Sequence, residues 1–208
     1  MARLFDELNI LSKNRAIPYE QYFGEMVLSK EQEKERIDTA KEFEDMMLFI
    51  FSLIAVINEY QYTNISFVIG QLKNRYQEIV ASHTAIDEYL ENYIEDFSEQ
   101  TIQTTQDNGS DEWYLSDDRA MFIAENEANT VLNHSDFMKA VKSGKKQKKW
   151  ITMRDKKVRT THKELDSKTI KITDVFLVGN SEMYYPKDTT FGASAEEIVN
   201  CRCSIKYF

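Results

Sequence analysis

The sequence predicts an α+β protein, with long antiparallel helices in the N-terminal half and a small helix-plus-antiparallel-sheet C-terminal module. Three observations predict it. Glycine (6) and proline (2) are scarce among 208 residues, which disfavours a loop-rich sandwich and favours long helices. Apolar residues keep to spacings of three and four through the first half, and short β-branched and aromatic runs replace them from Trp150 onward. Between the two lies a polar, turn-rich stretch, Gln100 to Ser110, whose strongest break is Asp107-Asn108-Gly109. The boundary is placed there, giving a helical region over 1–110 and a second module over 111–208.

The elements follow in order. An aromatic lead-in to Val27 contains Pro18, Tyr19, Tyr22 and Phe23. Ser29 begins a helix with Gln32 as its capping-box partner, and the segment Lys30 to Glu59 has few breakers. Its apolar run, Met46 to Ile57, is too short to cross a bilayer, which needs about 20 residues; it reads as a helix buried on most sides, or as a stripe that a partner covers. A second helical pattern runs from about Asn64 to Phe97, through Ile65, Val68, Leu72, Tyr76, Val80, Tyr93 and Phe97. Two long helices joined by a short turn, 58–62, pair antiparallel most simply. A third helix is expected from Asp117 to about Ser143, capped by Ser116 and stopped by Gly144. Strand content is seen at Trp150 to Met153, Thr169 to Thr173 and Val175 to Val178, with Ile198-Val199 and Ser204 to Phe208 as further short strands.

The formal net charge is −9, and an average surface of that sign repels nucleic acid. The average conceals a segregation. Lys139 to Lys163 holds 11 Lys or Arg residues and one acid, Asp155, a net +10, which leaves 15 cations against 34 acids elsewhere. No secretory leader is read at Met1-Ala2-Arg3. Cys201 and Cys203, one residue apart, are a poor structural disulfide, and a reducing compartment is the simpler reading.

Several motifs occur in fixed order in the C-terminal half. Asp118-Arg119-Ala120, Ile123-Ala124 and Glu127 share a helix. Lys149-Trp150-Ile151-Thr152, Asp155, Val158-Arg159 and His162 follow. Then come Leu165-Asp166, Phe176, Pro186 with Asp188, and Asn200-Cys201-Arg202-Cys203. From about Asp117 to Phe208 this order resembles the phage Mu F-like head morphogenesis module, whose signature is a Trp, an Asp, an Arg-x-x-His and a terminal Asn-Cys-Arg-Cys. The chain departs from the family at Glu125-Asn126-Glu127, where an Arg-Thr-Glu triplet is usual, and at Ser167, where a Gly commonly follows Leu-Asp.

The resemblance implies a minor head protein, not an enzyme, that associates with the portal during head assembly and contacts packaged DNA without sequence specificity. The alternative is a DNA-binding ejection protein delivered with the genome. Made in the bacterial host cytoplasm, it would lie in the virion, inside the head near the portal. Its partners would be the portal protein, the major capsid or scaffold, and DNA, with no span across a membrane. Some relatives carry fused toxin domains, and none is expected here, where the chain ends at the signature.

His162, Cys201 and Cys203 are zinc-ligand types, and Asp155 completes a candidate set of four. The one-residue cysteine spacing differs from zinc knuckles, which separate the pair by two to four residues. In the competing structural reading the cysteines lie on a terminal strand and His162 bonds a nearby carboxylate. A catalytic reading pairs a cysteine with His162 and Asp155 or Asn200. Arg159 and Arg202, among Asp155, Asp166 and Asp188, are read as pinning irregular loops through Arg–carboxylate pairs, and Trp150 as the module's core anchor. Lys145, Lys146, Lys148 and Lys149 flank Gly144 in an expected exposed loop, and Lys142 joins them from the end of the helix before it. There they serve phosphate contact, docking on an acidic portal surface, or only solvation.

Overall fold

The computed structural model describes residues 17–60 and 64–208. The leader reading at Met1-Ala2-Arg3 and residues 61 and 62 of the expected turn over 58–62 lie outside those residues. Two compact units are present among them, one of Asp38–Glu127 and one of Ile17–Ile37 with Ala128–Phe208. Both limits fall inside helices, so α2 (Lys30–Glu59) and α5 (Asp117–Lys142) each contribute residues to both units.

The first unit is helical. It holds the larger part of α2, then α3 (Ile65–His83), α4 (Glu88–Asp107), a 3-10 turn at Glu112–Leu115, and the start of α5. The antiparallel pairing of α2 and α3 is seen in which residues meet. Thr39 bonds His83 at 3.0 Å, Phe43 packs edge-on against Tyr76, and Arg75 covers Phe49 at 3.9 Å. Numbers rise along one helix as they fall along the other. The apolar run of α2 is sided: Met46, Met47, Ile50, Phe51 and Ile54 are buried, whereas Phe49 and Val56 face outward. Burial on most sides is thereby corrected to burial of one face, the ordinary result when a helix packs along one stripe.

The single helix expected over Asn64 to Phe97 is two. Val80 ends the buried face of α3, Thr84 turns extended, and Asp87 caps a new helix by accepting from the Leu90 amide at 3.0 Å. α4 then runs on into the polar stretch expected as a linker and ends at Asp107, where Asn108 caps it at the expected Asp107-Asn108-Gly109 break. Two of its threonines are interior: Thr101 and Thr105 are buried, as are Phe97 and Ile102, and Thr105 Oγ1 donates back to the Thr101 carbonyl at 2.6 Å. Tyr76 and Tyr93 both donate to buried Glu127, at 2.7 and 2.9 Å. This gives a role to the one residue of the 125–127 triplet that follows the family pattern.

The second unit begins with α1 (Tyr19–Gly24), whose Tyr19, Tyr22 and Phe23 are buried. Ser29 and Gln32 form the expected capping box, each side chain accepting from the other's amide at 3.2 and 3.1 Å. Arg36, 1% exposed, spans to α5 through Asn129 and Asn133 at 3.2 and 3.0 Å. Ser116 caps α5, and Gly144 (φ 73°) ends it, with the Lys145 amide reaching back to the Ala140 carbonyl.

Strand β1 (Gln147–Ile151) lies between β2 (Thr169–Lys171) and β5 (Ser204–Tyr207), antiparallel to both. β3 (Phe176–Val178) and β4 (Ser181–Met183) form a separate hairpin. The strands at 169–171, 176–178 and 204–207 fall within the stretches of expected strand content, whereas β1 lies three residues earlier than the expected Trp150 to Met153 and shares only Trp150 and Ile151 with it, and 181–183 is a strand outside every expected stretch. Ile198-Val199 is no strand, since Ala195–Ile198 forms a short helix, α7; an earlier one, α6, is Thr160–Lys163.

Candidate metal centre

The inner face of β1 organises this site. Successive strand residues point to opposite faces, so Lys148 and Trp150 go inward while Lys149 and Ile151 are half-exposed. Trp150, fully buried, packs edge-on against Phe176 at 5.1 Å and against the His162 ring at 5.8 Å. It is the anchor the sequence suggested, and it sets the wall against which α6 delivers His162.

The terminal Asn-Cys-Arg-Cys approaches from the other side. Asn200 turns the chain in the left-handed region (φ 54°) just after α7. Cys201 and Cys203 are both buried, and Arg202 between them reaches Glu25 and Asp155, at 2.7 and 2.6 Å. The one-residue spacing therefore has a geometric consequence: residues i and i+2 of a locally extended chain share a side. His162 Nδ1 lies 3.4 Å from Cys203 Sγ and 3.6 Å from Cys201 Sγ. The three donor atoms all fall within 4.8 Å of one another, and the cluster can hold a metal ion.

On the opposite edge of the imidazole, Nε2 sits 2.9 Å from Glu197 Oε2, which also accepts from Thr161 Oγ1 at 2.8 Å. A carboxylate only accepts, so Nε2 carries the hydrogen and Nδ1 is the nitrogen presented to the sulfurs. Glu197 is itself held close. A Cβ on Gly179 would stand 2.5 Å from its Oε1, and Gly179 has φ +59°. The two-residue Gly179-Asn180 hairpin thus needs glycine for its turn and for the carboxylate behind it.

Electrostatics prepare the cluster for a cation. The Cys203 thiol's hydrogen bond, with the His162 charge, holds the Cys201 thiol well below its ordinary pKa, and the same interaction and burial push Cys203 up. Burial would lower His162, but the charge and hydrogen bond of Cys201, with Glu197 behind, raise it on balance. The shift of Cys201 is toward the thiolate, the form that binds metals.

The other residues singled out in the sequence fall as follows. Asp155 stands outside the trio. Its carboxylate takes Arg202 and the amides of Lys157 and Val158, at 2.8 and 3.1 Å, which corrects its assignment as fourth ligand. Arg202 makes the expected Arg–carboxylate pairs. Arg159 instead donates to the Val199 carbonyl, and Arg154 is the partner of Asp166 at 2.9 Å. Asp166 also accepts from the Thr152 amide and hydroxyl, and Asp188 from the Tyr184 and Thr190 amides. Both aspartates tie loops, Asp166 through one backbone amide and two side-chain donors and Asp188 through two backbone amides and the Thr190 hydroxyl.

The basic segment divides. Lys142, Lys145 and Lys146 are exposed and Lys149 half-exposed. Lys148 is fully buried, with its Nζ 4.9 to 5.5 Å from the ring centres of Tyr184, Phe137 and Phe176. Its place in an exposed loop is corrected, because the strand begins at Gln147 and alternation turns Lys148 inward. Lys206 stands directly across from Lys149 in the register, and Lys171 across from Gln147. Lys149 and Lys206 also line a groove of about 760 Å³ with Val27, Ile151 and Arg154. Sequence reasoning missed Lys171, Lys206 and Glu197. Strand alternation could have found the lysines; nothing local distinguishes Glu197 from Glu196.

Among the described residues no helix is long and apolar enough to cross a membrane. No solved structure matches the chain. Over 58 residues it is 38% identical to the NAD(+)--arginine ADP-ribosyltransferase EFV of Enterococcus faecalis (strain ATCC 700802 / V583), a match covering 28% of this chain and 11% of that protein. The family model described as Phage Mu protein F like protein matches residues 72–206. That span exceeds half the chain and contains Trp150, His162 and both cysteines, and the chain belongs to the phage Mu F-like family of head morphogenesis proteins.

Proposed function

We propose that this chain is a non-enzymatic minor head protein that joins the phage head at the portal and touches packaged DNA without reading its sequence. The observation that carries the DNA contact is the arrangement of lysines. Lys149, Lys171 and Lys206 stand on the outward side of one three-stranded sheet, and Lys142, Lys145 and Lys146 lie at the turn that leads into it. Lys149 and Lys206, directly opposed, repel each other, a cost that a phosphate backbone removes. Phosphate contact of this kind is salt-sensitive and indifferent to base sequence.

The portal contact rests on family membership, which also supports the virion location and the capsid or scaffold as further partners. The non-enzymatic reading is supported by the space at the thiols: the cavity they border is about 20 Å³, room for a water and little more. In this reading the trio holds zinc as a staple for the C-terminal unit. Zn–S of about 2.3 Å and Zn–N of about 2.05 Å in a tetrahedron place N and S about 3.6 Å apart, against 3.4 and 3.6 Å here. Glu197 behind the imidazole is the usual partner of a metal-bound histidine.

The test is co-purification with the portal protein encoded beside this chain, at low and high salt, alongside duplex-DNA retention. The quadruple change of Lys142, Lys145, Lys146 and Lys149 to Glu is expected to abolish DNA retention. Portal binding absent at every salt concentration sinks the portal contact, and wild-type protein that ignores DNA at low salt sinks the DNA contact.

A further inference from the structure

A tetrahedral ion held by three protein ligands is one ligand short. No further His, Cys, Asp or Glu joins His162, Cys201 and Cys203 among the described residues. Glu197 is on the far side of the imidazole, at Nε2, and Asp155 is engaged by Arg202. The trio borders a cavity of about 20 Å³ whose other walls include Met153, Lys157, Val158, Arg159 and Asn200. A water needs roughly 10–15 Å³ of such volume, so the space takes one small molecule and no additional side chain.

We propose that the centre is open: the metal's fourth ligand is a solvent molecule, water or hydroxide, exchangeable for a small anion. This inference rests on the zinc reading above. Closed structural zinc sites complete all four positions from the protein, whereas sites with three protein ligands keep the fourth for solvent or substrate. Charge favours the exchange. Two thiolates and a neutral imidazole cancel the ion, so an anionic fourth ligand leaves one negative charge, and Arg159, which lines the cavity, places a positive charge near enough to act on both His162 and Cys203. Arg159 is fixed by its bond to the Val199 carbonyl, so its charge is already in place beside the cavity.

The experiment replaces the metal of the purified full chain with cobalt(II) and titrates it with azide, following the visible ligand-field bands. X-ray absorption of the zinc form counts the ligands. One metal per chain, two sulfurs and two light atoms with a single imidazole, and a saturable azide-dependent shift with cobalt retained are expected. A first shell filled by a further sulfur or a second imidazole, or cobalt bands untouched by azide, overturns the open position and leaves the zinc staple standing. Protein that takes up neither zinc nor cobalt removes both.

Discussion

Glu197 Oε2 lies 2.9 Å from Nε2 of His162, on the ring edge opposite the one that meets the two cysteine sulfurs. That bond fixes which nitrogen carries the proton and how the ring is rotated. Carboxylate and thiols are brought to the two edges of one ring by the fold. Glu197→Gln keeps the size and an acceptor oxygen while removing the charge that makes the imidazole a better donor. Losing such a partner lowers metal affinity about 10- to 100-fold. Competition for zinc against a chromophoric chelator measures it, and a change under about twofold would show that Glu197 does not serve the metal.

Lys148 gives a stability prediction with a defined pH window. Burial pushes its ammonium down to about 8 against an ordinary 10.5, despite the pull of Asp188 and Asp174. Between those values the unfolded chain binds more protons than the folded one, so this group makes stability rise as pH rises from about 8 to 10.5. Below pH 8 the penalty is fully present, about 3 kcal/mol. Lys148→Met fills the same slot among Phe137, Phe176 and Tyr184 with a polarizable, uncharged side chain. Urea unfolding at pH 7 and at pH 9.5 should find the variant more stable at the lower pH, with the gap narrowing at the higher. A variant that is less stable at pH 7 refutes the account.

Much of this molecule was legible because its signals are local. The Ser29–Gln32 capping box, the Ser116 cap and the Gly144 stop depend on residues a few positions apart, and each forms as read. The polar stretch Gln100 to Ser110 breaks where Asp107-Asn108-Gly109 predicts, but its first part is helix: threonine is polar in isolation, yet Thr101 and Thr105 satisfy or bury their hydroxyls on a helix face packed inside the unit. Lys148 was misplaced for a related reason. A run of lysines looks like a solvated loop until strand alternation splits it into inward and outward members. His162 and both cysteines were nameable from residue type, but Glu197 and the displacement of Asp155 depend on long-range packing that no spacing encodes.

Ser167 occupies the left-handed region (φ 65°) at the position where the family commonly has glycine. A non-glycine residue there costs about 1–2 kcal/mol, partly offset by the greater chain entropy glycine loses on folding. The exposed bond from Arg154 to the Ser167 hydroxyl, at 3.2 Å, is a small loss. Ser167→Gly is therefore expected to stabilise the chain by about 0.5–1 kcal/mol, read as a higher midpoint in urea with an unchanged slope. Destabilisation would mean that the hydroxyl contributes more than the backbone strain costs.

Glu127 is the buried acceptor for two tyrosines, and its replacement separates hydrogen bonding from packing. Glu127→Leu leaves the hydroxyls of Tyr76 and Tyr93 without this acceptor in the interior of the helical unit. An orphaned buried hydroxyl costs about 1–3 kcal/mol, so a loss of about 3 kcal/mol is expected for the pair. Glu127→Gln retains an acceptor oxygen and should cost about 1 kcal/mol. Equal losses from the two variants, measured by chemical unfolding, would show that the site depends on charge and not on acceptance.

The lysine face makes a quantitative prediction about salt. For duplex DNA the affinity falls on a log–log plot with a slope of about −0.9 per phosphate neutralised. Lys149 and Lys206 sit opposite each other in the register, half-exposed and exposed, so one backbone strand passing across the sheet meets both. Changing both to Gln should flatten the slope by about 2, roughly one for each phosphate that is no longer neutralised. Lys148→Met should leave it unchanged, because that ammonium is enclosed by three aromatic rings and reaches no phosphate. All three changes remove positive charge from the same corner of the molecule, and only the direction of the side chain separates them. If net charge alone governed binding, Lys148→Met would flatten the slope about as much as either single change, and the assignment of the outward face as the DNA-contacting surface would fail.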